Sequence, residues 1–293
     1  MAGNKKMNPL DEKFWEDKLV DKIAGSVFGF VIGDAMGATT EFLTSEQVEK
    51  IYGKVTKIIG KGWLGLKPGE VTDDTEMTIC IMKALMKYPD DSEKFKKACE
   101  RNFIEWFKTK PKDIGCQCMR GIKWIMLGGN IPRDRNALGN GSLMRAMPCA
   151  LLNKEKFNIV QGELTHRNRD CSSFIQIYTN LIQLYLYDNY DNKNKVKTDK
   201  LLKPSGHVKN TLNNSIYWTD NSATFKEAII GAVNHGGDAD TIAAITGSLA
   251  GAKFGFKEIP KEWINSINAD TKMMLKEFIK FTIFYLQNQN NVI

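Results

Sequence analysis

Residues 236–255 read GGDADTIAAITGSLAGAKFG, a run of Gly and Ala suited to an element packed closely against its neighbours. The run opens on Asp238, Asp240 and Thr241. Carboxylates set among residues that favour burial are costly unless they are paired or bound to a cation. Whatever this chain folds into must bury the small residues and also offset the charge at their head.

Most of the remaining chain has helical periodicity. In 92–108, Phe95, Cys99, Phe103 and Trp106 recur at three-to-four-residue spacing, and Met274, Phe278, Phe281 and Tyr285 do the same in 270–288. The pattern predicts further helices at 20–38, 75–87, 115–128, 141–152, 170–187, 223–234 and 241–254. Alternating strand patterns are rare and short. The expected fold class is all-α: a compact single domain of many helices, over residues 1–293 with an N-terminal extension at 1–18. Residues 187–204, polar and charged, read as an exposed connection within that domain, and no internal repeat of solenoid length is present.

A second acidic cluster answers the first. Thr72, Asp73 and Asp74 fall where KPGEVTDDTEMTICIMKAL turns from a Pro-Gly pair into an apolar helix. Helix capping is the plain explanation for either cluster taken alone. A cap needs one side-chain oxygen, however, and each cluster supplies three groups. Two such corners facing each other would make an oxygen-rich site for a hard divalent cation, Mg²⁺ or Mn²⁺. Helix N-termini repel cations, so several carboxylates would be needed to prevail.

Two more segments carry polar groups into apolar surroundings. In GFVIGDAMGATTEF, Asp34 lies near the end of an apolar helix in which Gly33 and Gly37 allow neighbours to approach, and Glu41 stands seven residues later. Glu41 is either a surface or capping acid or a further contact to a metal or its water. In ALGNGSLMRAMP, the turn Gly139-Asn140-Gly141-Ser142 precedes an apolar helix and offers backbone N–H groups to an anion such as pyrophosphate.

Composition narrows the class. The 293 residues are 42% hydrophobic and carry 41 Lys+Arg against 34 Asp+Glu, a net charge of +7. The basic residues are scattered and are not interleaved with aromatics, which argues against nucleic acid as a partner. The N-terminal residues lack an apolar signal core, and no run approaches the ~20 apolar residues of a membrane span. Cys116-x-Cys118 has no second Cys/His pair at zinc spacing. The six cysteines fit a reducing cytoplasm.

In this order, GDAMGATTEF, TDDTEM, GNGSLMRA and GGDADTIAAITGSLAGAKFG resemble the ADP-ribosylglycohydrolase family along nearly the whole chain. GKGWLGLKPGEVTDDTEM, KPKDIGCQCMRGI and NHGGDADT are similar to the branch that releases ADP-ribose from an arginine of the nitrogenase iron protein. The resemblance implies the all-α fold and a pair of divalent cations, Mn²⁺ or Mg²⁺. Thr72, Asp73, Asp74, Asp238, Asp240 and Thr241 would be the metal ligands, with Glu41 beside them. Asp113 would face the substrate, moving a proton or holding the guanidinium. Asn140, Gly141 and Ser142 would contact phosphates and ribose, with His166 near ADP-ribose. His207 stands where the family commonly has a tyrosine that stacks near adenine.

The activity implied is metal-dependent hydrolysis of the N-glycosidic bond between ADP-ribose and a protein arginine. The alternatives are hydrolysis of O-linked ADP-ribose, on serine or as O-acetyl-ADP-ribose, and a non-catalytic relative that only binds ADP-ribose. The implied partners are an ADP-ribosylated protein, with the nitrogenase iron protein as the target the similar branch suggests, and a P-II signalling regulator. A monomer, with no nucleic acid and no integral membrane segment, completes the expectation.

Overall fold

Glycine at every fourth position sets the centre of the molecule. The computed structural model describes residues 16–290 apart from 192, 195, 197 and 199. Helix α1 (Lys18–Gly37) carries Gly25, Gly29, Gly33 and Gly37 on one face. Helix α11 (Ala239–Phe254) lies antiparallel to it, with Ala239, Ala243, Gly247 and Gly251 as the matching row. A Cβ added to Gly29 would sit 2.2 Å from the carbonyl oxygen of Gly247, and one added to Gly33 would sit 2.0 Å from that of Ala243. The two backbones therefore touch, as meshing of four-residue ridges requires. All of α1 from Lys22 to Gly37 is buried, and all of α11 from Ala239 to Ala252. Helices apolar on every side belong at the middle of a bundle.

The other helices wrap this pair. They are α2 (Ser45–Tyr52), α3 (Asp73–Lys87), α4 (Ser92–Lys108), α5 (Cys116–Met126), α6 (Met147–Leu151), α7 (Glu155–Glu163), α8 (Arg169–Leu186), α9 (Val208–Asp220), α10 (Phe225–His235), α12 (Lys261–Ser266) and α13 (Ala269–Asn290). Helices α8, α9 and α10 cover α11, while α3, α13 and the 3-10 turn at Phe256–Glu258 lie against α1. Among the described residues there is no strand, only three isolated bridges. The fold is all-α and single-domain, as expected. No helix among the described residues is long and apolar enough to cross a membrane. The expected extension at 1–18 lies outside the described residues up to residue 15, and Lys18 opens α1.

One expected helix is corrected. Residues 141–152 do not form a single helix: a 3-10 turn covers Asn140–Ser142, and α6 starts afresh at Met147. Pro148, with no N–H to donate, is tolerated in a first turn and not in a helix interior. Helices α2, α7, α9 and α12 are additional to those the periodicity predicted.

Candidate active site

The seam between α1 and α11 ends in carboxylates from both. Beyond α1 the chain turns through Thr39 and Thr40, whose hydroxyls donate to the carbonyls of Gly60 at 2.8 Å and Val233 at 2.7 Å. Phe42 N then donates to Gly237 O at 2.6 Å, and Gly237 N donates to Leu43 O at 2.7 Å. Gly236 and Gly237 adopt φ of 73° and 68°, which lets the chain leave α10 and enter α11 within three residues. This pairing sets Glu41 beside the head of α11. The carboxylates of Glu41, Asp238 and Asp240 offer oxygens that all lie within 4.8 Å of one another.

Helix α3 is docked onto the same point by Asp34. This fully buried carboxylate accepts from Thr72 N at 3.2 Å and from Thr75 N at 3.1 Å, so an acid of α1 caps the start of α3. Thr72 contributes its own cap, Oγ1 accepting from Asp74 N at 3.3 Å. Capping thus accounts for Thr72 and Asp34 and leaves Asp73 and Asp74 to other partners. Asp73 Oδ2 accepts from Gly115 N at 3.3 Å, and Thr241 Oγ1 donates to Asp74 Oδ1 at 3.3 Å, tying the two acidic corners together. Asp238, at the head of α11, makes no side-chain cap and accepts from Asn140 Nδ2 at 2.6 Å.

A cleft of about 250 Å³ is lined by Glu41, Asp73, Asp74, Asp113, Asp238 and Asp240, with Thr241. No Lys or Arg is among its described lining residues. Asp74 Oδ2 and Asp240 Oδ1 are buried without a hydrogen-bond partner. Burial, then mutual repulsion, raises the carboxyls: Glu41 and Asp73 to about 8, Asp238 to about 6, and Asp74 and Asp240 well above the ordinary range. Orphaned, crowded carboxylate oxygens with no cationic side chain among them fit a hard divalent cation, and the all-oxygen donor set matches Mg²⁺ or Mn²⁺. Asp73, Asp74, Asp238, Asp240 and Thr241, with Glu41, could hold it. Thr72 is buried at its cap and is not part of the cleft wall.

The glycine turn adjoins these acids. Gly139, Asn140, Gly141 and His166 line the cleft, and Asn140 N donates to Gly206 O at 2.9 Å. A Cβ on Gly141 would lie 2.8 Å from His166 Cε1, so the missing side chain makes room for the ring. Burial, helped by Arg145, lowers His166 to about 3 and keeps it neutral. Ser142 and His207 are placed differently. Ser142 is fully buried behind the turn, and His207 uses Nδ1 to accept from Lys209 N at 3.2 Å at the start of α9; neither lines the cleft.

Three further residues build the site. Arg145, fully buried, donates to Gly141 O, to Gln161 Oε1 at 2.8 Å and to Thr165 Oγ1 at 2.7 Å, so it holds the glycine turn from beneath. Trp63, at the tip of the Lys61–Leu66 hairpin, donates Nε1 to Glu41 Oε2 at 2.5 Å. Asp34 is the third. The GKGWLG and GNGSLMRA motifs contained the first two, but a buried Arg and an indole donor carry no spacing signal of their own.

Taken together, the fold and site define an all-α protein with a polycarboxylate centre beside a glycine turn. The ADP-ribosylglycohydrolase family profile matches residues 15–199 and 183–280. ADP-ribosyl-[dinitrogen reductase] glycohydrolase of Rhodospirillum rubrum is 30% identical over 269 residues, 85% of this chain and 90% of its own. ADP-ribosylarginine hydrolase Tri1 of Pseudomonas putida is 27% identical over 295 residues, 86% of this chain and 75% of its own. A solved structure described as an ADP-ribosylglycohydrolase-related protein complex superposes with a TM-score of 0.76 at 23% identity, over 90% of this chain and 99% of that one, a likeness of fold. The chain belongs to the ADP-ribosylglycohydrolase family, a family of hydrolases.

Proposed function

We propose that this chain removes ADP-ribose from an arginine of a target protein by hydrolysing the N-glycosidic bond, with two divalent cations, Mn²⁺ or Mg²⁺, in the acidic cleft. The names of the relatives support arginine as the linkage, and that of the R. rubrum relative supports dinitrogen reductase as the target. The observation that carries the reading is the pair of orphaned oxygens, Asp74 Oδ2 and Asp240 Oδ1, in a cleft that also holds the glycine turn.

Held by Asp73, Asp74, Asp238, Asp240 and Thr241, divalent cations would supply Lewis acidity toward the ribose hydroxyls and water. The chain's own groups supply the rest. Asn140 and the Gly139–Gly141 backbone hold the pyrophosphate and ribose, and neutral His166 closes the wall without adding charge. Asp73, Asp74, Asp238 and Asp240 stabilise positive charge that develops on the ribose as the bond to nitrogen breaks. Water oxygen bonds to C1″ while the C1″–N electron pair leaves with the guanidine. Glu41, held by Trp63, takes the proton from water, and Asp113 gives a proton to the leaving guanidine, so that it departs as guanidinium beside the Asp113 carboxylate. Burial raises both carboxyls, Glu41 to about 8, which suits that group to proton exchange near neutrality.

Asp240→Ala is expected to lose Mn²⁺ binding by calorimetry and to lower turnover of an ADP-ribosylarginine substrate at least ~100-fold. Normal turnover with undiminished Mn²⁺ affinity would refute the proposal.

A further inference from the structure

A second pocket, of about 300 Å³, shares Asp73 and Asp113 with the cleft, so these two acids form the partition between the two spaces. Its walls are apolar where Leu64, Leu66, Val71 and Pro111 line it. Its charge is acidic on balance: Glu70, Asp73, Glu76 and Asp113 line it against Lys110 and Lys112. Trp106 Nε1 donates to Glu76 Oε2 at 2.6 Å and fixes that side chain from the α4 side. Of the two lysines, Lys112 is drawn to Glu70 at 2.9 Å, and Lys110 is exposed. Leu64 and Leu66 come from the hairpin whose Trp63 holds Glu41, so one loop serves both spaces.

Resting on the function proposed above, we infer that this second pocket receives the leaving group and that Glu76 is its specificity-determining residue. Asp113 lines both spaces, so a group released at C1″ beside it can pass from the cleft into the second pocket. A group leaving on that side meets aliphatic walls and two carboxylates, Asp113 and Glu76. That combination suits a planar cation on a short alkyl stem, an arginine side chain, since carboxylate–guanidinium bonds are charge-assisted and the methylenes can lie along Leu64 and Pro111. A serine oxygen has neither the charge nor the reach to use it. Glu76 binds substrate and product alike, so it governs KM and not the chemical step.

The test compares wild type with Glu76→Gln on an ADP-ribosylarginine peptide and an ADP-ribosylserine peptide, together with the Kd of free ADP-ribose. Glu76→Gln is expected to raise KM for the arginine-linked peptide about tenfold or more, with kcat nearly unchanged. KM for any serine-linked turnover and the Kd for ADP-ribose stay at wild-type values, and Glu76→Asp restores part of the loss. Equal losses on both linkages, or an unchanged arginine-linked KM, would overturn the assignment. Should the variant fail to fold, the wild type decides. Agmatine, a guanidinium on a short chain, is expected to inhibit arginine-linked turnover at least tenfold more strongly than an uncharged alcohol of like length, and equal inhibition refutes the pocket. A wild type that releases ADP-ribose from neither peptide sinks the proposed function itself. Release from arginine with no Glu76 effect sinks only the pocket.

Discussion

Asp34 is an acid whose value lies in what it holds. It satisfies two backbone donors at the start of α3 from inside α1, and burial raises its carboxyl to about 6. Asp34→Ala leaves those N–H groups buried and unpaired, and is expected to cost about 2 kcal/mol in chemical denaturation, with Mn²⁺ affinity falling as Asp73 and Asp74 lose their placement. Asp34→Asn, which keeps an acceptor, should cost less. Trp63 acts at the same scale. Trp63→Phe keeps the ring beside Phe42 but removes the N–H on Glu41. Turnover should drop about tenfold with KM little changed, because a bond to a charged acceptor is lost from the proton-accepting group. Unchanged kcat would show that Glu41 needs no such restraint.

At the scale of elements, the α1–α11 seam reverses an ordinary preference. Gly→Ala in a helix interior normally gains about 1 kcal/mol. At Gly29 the new Cβ meets backbone atoms of Gly247, which cannot rotate away as a side chain would. Gly29→Ala is expected to destabilise by about 3 kcal/mol in urea denaturation, or to prevent folding. That each helix of the seam packs closely was legible in its small residues, but their pairing joins segments about 200 residues apart and was not; the acidic heads of α3 and α11 were legible because they exceeded what a cap requires. Other elements were obscured by physics. Helix α9 hides its Val208, Leu212 and Ile216 stripe among buried Thr211, Asn214, Ser215 and Thr219. Helix α2 buries one residue, Val48, so it has no stripe to find, although its Thr44–Gln47 capping box stands in plain view. Trp63 and Arg145 act through contacts between segments remote in sequence, which no local pattern encodes.

For the molecule as a whole, the crowded acids predict how stability follows pH. A carboxyl raised in the folded state binds its proton more tightly there than when unfolded, so its ionisation erodes stability as pH climbs toward the folded value. His166, lowered to about 3 by burial, opposes this trend only below its unfolded value of 6.5. Above 6.5, Glu41 and Asp73, at about 8, dominate. Tm of chelator-treated protein should therefore fall between pH 6.5 and 8, and saturating Mn²⁺ should flatten the decline, because the cation replaces the protons the acids would otherwise retain. Differential scanning calorimetry with and without Mn²⁺ checks it. A metal-free Tm that rises across this interval would contradict the raised carboxyls.

A ladder that repeats every four rungs can mesh in more than one alignment. Sliding α11 by one repeat along α1 would leave small residues opposite small residues, yet carry the acids about 6 Å out of line. What forbids the slip lies at the end of the ladder, in the clasp that Phe42 and Leu43 make with Gly237 and in the Thr40 hydroxyl on Val233. That clasp works as a vernier: it selects the single setting of two interchangeable rods at which their charged tips coincide.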